Sequence, residues 1–180
     1  MIILLSVPHT GTRFTREFLR SIKVMHEQYH TERSMLDEIT HLNSTTALVP
    51  VRDPLLAYTS TVLRSNDYNG VLNYVAVNYK LLLMMEGAIG TETEEPKPWF
   101  TDIHYFRLNA EDQALEMRKA ADFCGYDGPI DFVWKPVGNE KPEPTSYAVW
   151  EIISDHFPQG EKEKVLETLK PFREYYGYAV

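Results

Sequence analysis

Residues 2–14 read IILLSVPHTGTRF, and the fold turns on how this stretch is read. Ile2–Leu5 is apolar without a break and the run closes on Ser6, as in a central parallel strand covered on both faces. From Thr12 the spacing changes. Phe14, Phe18, Leu19 and Ile22 recur at helical intervals, with Arg13, Arg16, Glu17 and Arg20 between them, so a helix is predicted over 12–22. Between strand and helix stand Pro8, His9, Thr10 and Gly11. In an open α/β sheet, ligands sit outside the carboxyl ends of the strands, and the N–H groups at a helix start attract anions. Gly11 lets the backbone come close to such a ligand. Thr10 and Thr12 add hydroxyls, while His9 and Arg13 add actual or potential positive charge. The loop therefore reads as a phosphate or sulfate cradle, against the plainer alternative of a tight turn before a helix. A Walker loop, G-x-x-x-x-G-K-[ST], is absent, and the loop has no Lys.

Outward from this stretch, strands and helices alternate. Residues 23–30 read as a second strand and 31–42 as a helix capped by Thr31. Residues 46–51 (TALVPV) form a third strand. Asp53 before Pro54 is an acidic N-cap followed by Pro at the first helical position, opening a helix to about Ser65. A long apolar helix is predicted over 71–88, a Pro- and Glu-rich loop over 90–99 and a fourth strand over 102–109. An amphipathic helix over 110–125 closes on Gly125. Pro129, Pro136, Pro142 and Pro144 place a long loop over 126–145, before two helices at 146–157 and 160–173. The expectation is one α/β domain, with a mainly parallel sheet flanked by helices.

Composition narrows the function. The chain has 180 residues, 43% of them hydrophobic, enough for one real core. Its 26 acidic and 18 basic residues give a net charge of −8, which argues against generic nucleic-acid binding. A small anion remains compatible, since a few placed donors outweigh a screened bulk charge. The single Cys, Cys124, excludes an intrachain disulfide and fits a reducing compartment. With no signal-peptide pattern and no apolar run of spanning length, the expectation is a cytoplasmic protein with no membrane partner.

A second constellation follows the third strand. Arg52 stands at its end, and Ser60 and Arg64, four apart, would share a face of the next helix. Two anion sites at neighbouring strand ends suggest a ligand with two separated phosphates. A salt bridge from Arg52 to a nearby acid is the structural alternative.

Together PHTGTRF and RDPLLAYTS resemble the sulfotransferases that use 3′-phosphoadenosine 5′-phosphosulfate (PAPS). Their P-[KR]-[ST]-G-[TS]-[TS] loop wraps the 5′-phosphosulfate, and an Arg at a strand end with a Ser eight residues later holds the 3′-phosphate. Residues 103–128 and the closing LKPFREYYGY are also similar to that family. The resemblance implies a P-loop-like three-layer fold, PAPS as donor, PAP as product and no metal. It places Pro8, His9, Thr10, Gly11, Thr12, Arg13, Arg52 and Ser60 around the nucleotide. Phe14 falls where an aromatic often lies near the adenine, although it also fits the helix's apolar face. His9 replaces the usual Lys or Arg, and Arg13 stands where Ser or Thr is commoner. The family's Gly-rich basic segment has no clean match; residues 135–142, with Gly138 and Lys141, are the candidates.

The implied reaction is in-line transfer to a hydroxyl or amine of a small-molecule or glycan-like acceptor, with His9 and Arg13 at the transferring group. His26, Glu27 and His30 are candidate bases. Glu27 is preferred over His30, and the two His residues share one strand face while Glu27 lies on the other. A P-loop-like nucleotide kinase and a non-catalytic nucleotide- or partner-binding relative are the competing readings.

Overall fold

The computed structural model describes residues 2–31, 46–65, 67–90, 98–134 and 146–178. In chain order the elements are β1 (Ile2–Ser6), α1 (Thr12–Ser21), β2 (His26–His30), β3 (Thr46–Val51), α2 (Pro54–Val62), α3 (Tyr68–Met85), β4 (Asp102–Arg107), α4 (Gln113–Phe123), α5 (Tyr147–Ser154) and α6 (Glu161–Tyr175). They form two compact units, one of Met1–Arg52 with Asn78–Trp134, the other of Asp53–Val77 with Lys135–Val180. No helix among the described residues is long and apolar enough to cross a membrane. The helix expected over 31–42 lies outside the described residues apart from Thr31.

In the first unit the four strands make one sheet in the order β2-β1-β3-β4, with every pair parallel. Ile3, Leu4, Leu5 and Ser6 are all fully buried, as an interior strand of a parallel sheet requires. Register aligns Leu4 with Gln28 on one side and Leu48 on the other, and Leu48 with His104. One face of this sheet carries Leu4, Leu48 and Phe106. They pack with Leu108 against Phe18, Leu19 and Ile22 at α1 and Ala120 and Ala121 of α4.

The β1–β3 pairing covers only Ile3↔Ala47 and Leu4↔Leu48, whereas β3–β4 pairing runs on to Val51↔Arg107. Pro50 accounts for the difference. Val51 presents its carbonyl to the β4 side, where it accepts from Leu108 N at 2.9 Å. Pro50, one residue back, therefore faces β1, and it has no N–H to offer there.

Strand and helix limits differ from the expected ones where local closure intervenes. The expected strand 23–30 begins only at His26, because Lys23 is taken up in ending α1. It adopts φ 58°, its N–H bonds Arg20 O and that of Val24 bonds Leu19 O, a Schellman closure without glycine. Gly125 closes α4 in the same way, through its own N–H to Asp122 O and that of Tyr126 to Ala121 O. Helix α2 stops at Val62 rather than near Ser65, so Arg64 lies in the following turn and the shared helix face expected for Ser60 and Arg64 does not form.

His104, on the edge strand β4, stacks on Phe123 at 5.2 Å between ring centroids. Its Nε2 is buried and has no hydrogen-bond partner among the described residues. Burial holds its pKa below the usual 6.5, with Glu116 opposing the shift and Lys119 adding to it. The unfolded chain therefore takes up this proton at a higher pH than the folded one. Stability is expected to fall as pH drops below 6.5 and through the depressed folded value. Comparing denaturant midpoints at about pH 7 and about pH 5 tests this; His104→Phe should flatten the slope, and an unchanged slope would assign it elsewhere.

The second unit is tied by one buried carboxylate. Asp53 caps α2 through Leu55 N at 2.9 Å, accepts the Tyr147 hydroxyl at 2.6 Å and pairs with Arg173 Nε at 3.0 and 3.2 Å. Arg173 Nη2 adds a contact at 3.1 Å. Burial, reinforced by the hydrogen bond to Asp53, pushes the Tyr147 phenol up to about 12. Beside this anchor, Tyr58, Trp150 and Phe157 pack ring against ring, and Tyr68 joins Phe157 at 4.6 Å.

Candidate functional site

The strand order locates the site. The connection leaving β1 leads to β2 at one edge of the sheet, and that leaving β3 leads towards β4 at the other. The switch point thus falls between β1 and β3, where doubly wound sheets bind ligands at the carboxyl ends of their strands. Residues 7–11 follow β1, and Arg52 follows β3. The early end of β1–β3 pairing, set by Pro50, falls at this same point.

The loop is held by its own residues. Thr10 is fully buried, its hydroxyl donates to Val7 O at 2.6 Å and its N–H reaches the same carbonyl at 3.3 Å. The hydroxyl expected at a ligand is thus placed within the turn, on Val7 O. Pro8 and His9 are half-buried, and His9 (φ 66°) and Gly11 (φ 82°) both lie in the left-handed region. Thr15 Oγ1 donates to Gly11 O at 3.2 Å, bracing the first helical turn.

Helix α1 opens without a side-chain cap at its positive end. Its N-cap, Gly11, provides no side-chain hydrogen bond, and the first turn contains no acidic residue. The second residue is instead the exposed cation Arg13. Helix α6 also begins on a glycine, Gly160, but places Glu161 and Glu163 in its first turn. A cation at the positive end of a helix dipole is disfavoured by about 0.3–1 kcal/mol. An anion seated there reverses the sign of that effect.

Behind the loop runs a chain of polar side chains. Thr12 Oγ1 lies 2.7 Å from Ser6 Oγ. Ser6 Oγ is 3.2 Å from Nδ1 of His30, whose Nε2 is 3.2 Å from Nε2 of Gln28. Parallel register sets this up by pairing Ser6 with His30 and Leu4 with Gln28, which places Gln28 and His30 on one face of β2. Sequence reading missed Ser6 and Gln28. The period-two alternation of HEQYH carried the signal, but the pairing of β2 with β1 was needed to give it meaning.

The other expected residues separate. Glu27 pairs with Ile3, on the opposite sheet face and three residues, about 10 Å, back from the strand end. Its Oε2 accepts from the Tyr29 hydroxyl at 3.0 Å. The structure therefore brings His30 to the loop and not Glu27, and both ring nitrogens of His30 are already in hydrogen bonds. His26, at the far end of β2, bonds Val24 O at 3.0 Å. Phe14 packs with Phe132, Trp134 and Phe106 at centroid distances of 5.3, 5.6 and 6.1 Å, the core side of its two expected placements.

Arg52 is half-buried, and its carbonyl accepts from the Tyr79 hydroxyl at 2.8 Å. The neighbouring Asn78 accepts from the fully buried Thr31 at 2.9 Å. These two bonds fix α3 to the ends of β3 and β2. Ser60 is a half-buried residue of α2 in the second unit. Lys141 and Gly138 lie outside the described residues. Among the described residues no three His, Cys, Asp or Glu side chains gather as a metal site.

Compared with family models, characterised proteins and solved structures, the chain matches none.

Proposed function

We propose that the chain is a PAPS-dependent sulfotransferase of P-loop-like architecture, transferring a sulfuryl group to a hydroxyl or amine of a small or glycan-like acceptor. One observation carries most of the weight: an uncapped, acid-free helix start with Arg13 in its first turn lies at the switch point of a parallel sheet. The residue types present fit a phosphosulfate, since an anionic group is favoured at a helix start. PAPS supplies the activated sulfuryl group. The protein's part is to orient it and to stabilise charge that spreads in the transition state. His9 and Arg13 act at the transferring group, and the loop N–H groups hold its oxygens. Arg52, at the end of the adjacent strand, anchors the 3′-phosphate away from the reacting centre, so that binding there orients the reaction.

The test is calorimetric titration with adenosine 3′,5′-bisphosphate beside 5′-AMP and Mg-ATP. The bisphosphate should bind more tightly than AMP. Arg52→Ala should erase that preference, a loss of about tenfold or more for one charged hydrogen-bonding contact. Preference for Mg-ATP would favour the kinase reading. Absence of all binding would remove the nucleotide site altogether.

A further inference from the structure

From Tyr126 to Trp134 every second residue is half-buried and each residue between is exposed, the alternation of a strand with one face on the core. Yet no strand forms. Among the described residues, 127–134 makes no backbone–backbone hydrogen bond, so the sheet does not hold it. Side chains attach it at two ends. At the first, Arg118 of α4 directs Nη1 to Gly128 O at 2.8 Å and Nη2 to Tyr126 O, while its Nε pairs with Asp122 at 2.9 Å. The Tyr126 hydroxyl reaches Pro129 O at 2.9 Å, passing Gly128, where a Cβ would run into the Tyr126 ring. At the second end, Phe132 meets Phe14 and Phe18 at centroid distances of 5.3 and 5.8 Å, and Trp134 meets Phe14 at 5.6 Å. Between these ends Ile130 packs on the core shared by the sheet, α1 and α4.

We propose that 126–134 is a strap that docks and lifts as one unit, clasped by Arg118, and that its docked state braces the first turn of α1. A segment held by side chains alone can leave without breaking a helix or a ladder, and such segments open at lower free energy than the elements around them. What it leaves matters for α1. That helix begins without a side-chain cap, so its first turn depends on packing. Phe14 is the third residue of α1, and two of the three rings it meets among the described residues, Phe132 and Trp134, belong to the strap. Lifting the strap therefore loosens the helix start on which the 7–11 loop ends. Arg118 suits the clasp because one planar fork reaches two carbonyls of the strap while staying paired to its own helix. The inference is independent of which ligand the 7–11 loop takes.

The test is native-state proteolysis by chymotrypsin, with cleavage after Phe132 followed by mass spectrometry and scaled to the rate on the unfolded chain. Phe132 is packed between the two attachments, so cutting there requires the strap to lift. Arg118→Met keeps the aliphatic stem and loses the fork. Cleavage after Phe132 should rise about tenfold or more, the effect of losing hydrogen bonds from a charged donor. Trp134→Ala, at the other end, should raise it as well. In both variants the Thr15 amide, which bonds Gly11 O at 3.0 Å in the first turn of α1, should exchange its hydrogen faster than in the wild type. Thermal melts close to wild type would show that the opening is local. If Arg118→Met speeds cleavage only after Tyr126 and not after Phe132, the two ends act separately and the single strap is overturned. If the strap lifts while Thr15 exchange stays at the wild-type rate, the bracing of α1 is overturned. Should either variant fail to fold, Arg118→Lys and Trp134→Phe weaken the same two ends more gently and are judged by the same two readouts.

Discussion

Replacing Arg173 by Leu is expected to destabilise the protein by about 3–5 kcal/mol, read from denaturant unfolding. Asp53 is 1% exposed and Arg173 only 7% exposed, so the pair meets with almost no water between or around it. Removing the guanidinium leaves a buried carboxylate with, among the described residues, the Leu55 N–H and the Tyr147 hydroxyl as its remaining partners. Most of the loss comes from that stranded charge rather than from the pair's net attraction, and a second substitution separates the two. Asp53→Asn keeps an N-cap of nearly equal quality while deleting the charge. In the Arg173→Leu background it should recover a substantial part of the lost stability. No recovery would mean that Arg173 matters through packing of α6 instead.

The second large effect is expected at Gly11. A β-branched residue at φ 82° is strained, by roughly 1–2 kcal/mol on handedness alone. Its Cβ would also run into the Leu108 side chain. Leu108 belongs to the core packed beneath α1 and α4, so moving it adds an overpacking penalty of about 1–3 kcal/mol. Gly11→Val should therefore lose about 2–5 kcal/mol in an unfolding titration. Because Gly11 also sets the start of α1, the variant should lose affinity for adenosine 3′,5′-bisphosphate even well below its melting temperature. Retained stability would show that the 7–11 turn can adopt another path.

The fold was legible where a residue's local chemistry decides its structure. Ile2–Ser6 and Thr46–Val51 end where their apolar runs end, and Asp53 caps α2 as a carboxylate before Pro should. Lys23 was not legible, because a non-glycine residue at φ 58° closing a helix is chosen by the chain that follows it rather than by its own preference. The site divides along the same line. The loop and Arg52 could be read from PHTGTRF and the strand end, since each is contiguous in sequence. The contacts of Ser6 with His30 and of Thr12 with Ser6 could not, because they depend on β2 lying beside β1 in one particular register. Thr10 shows the converse: its type suits an anion loop, yet a hydroxyl three residues after Val7 satisfies the turn first. Glu27 was preferred on chemistry, and the alternation of the strand sends it to the other face.

The anchor at Asp53 also sets a timetable for the growing chain. Its arginine partner lies 120 residues further on. At translation speeds of about 5–20 residues per second, the carboxylate is made roughly 6 to 24 s before the guanidinium that neutralises it. Through that interval Asp53 has to stay hydrated, so the second unit cannot close in its final form while the ribosome is still adding α6. The first unit has every described strand once Arg107 has emerged. The order of birth therefore favours a sheet that is complete while its companion unit is still waiting for its last helix.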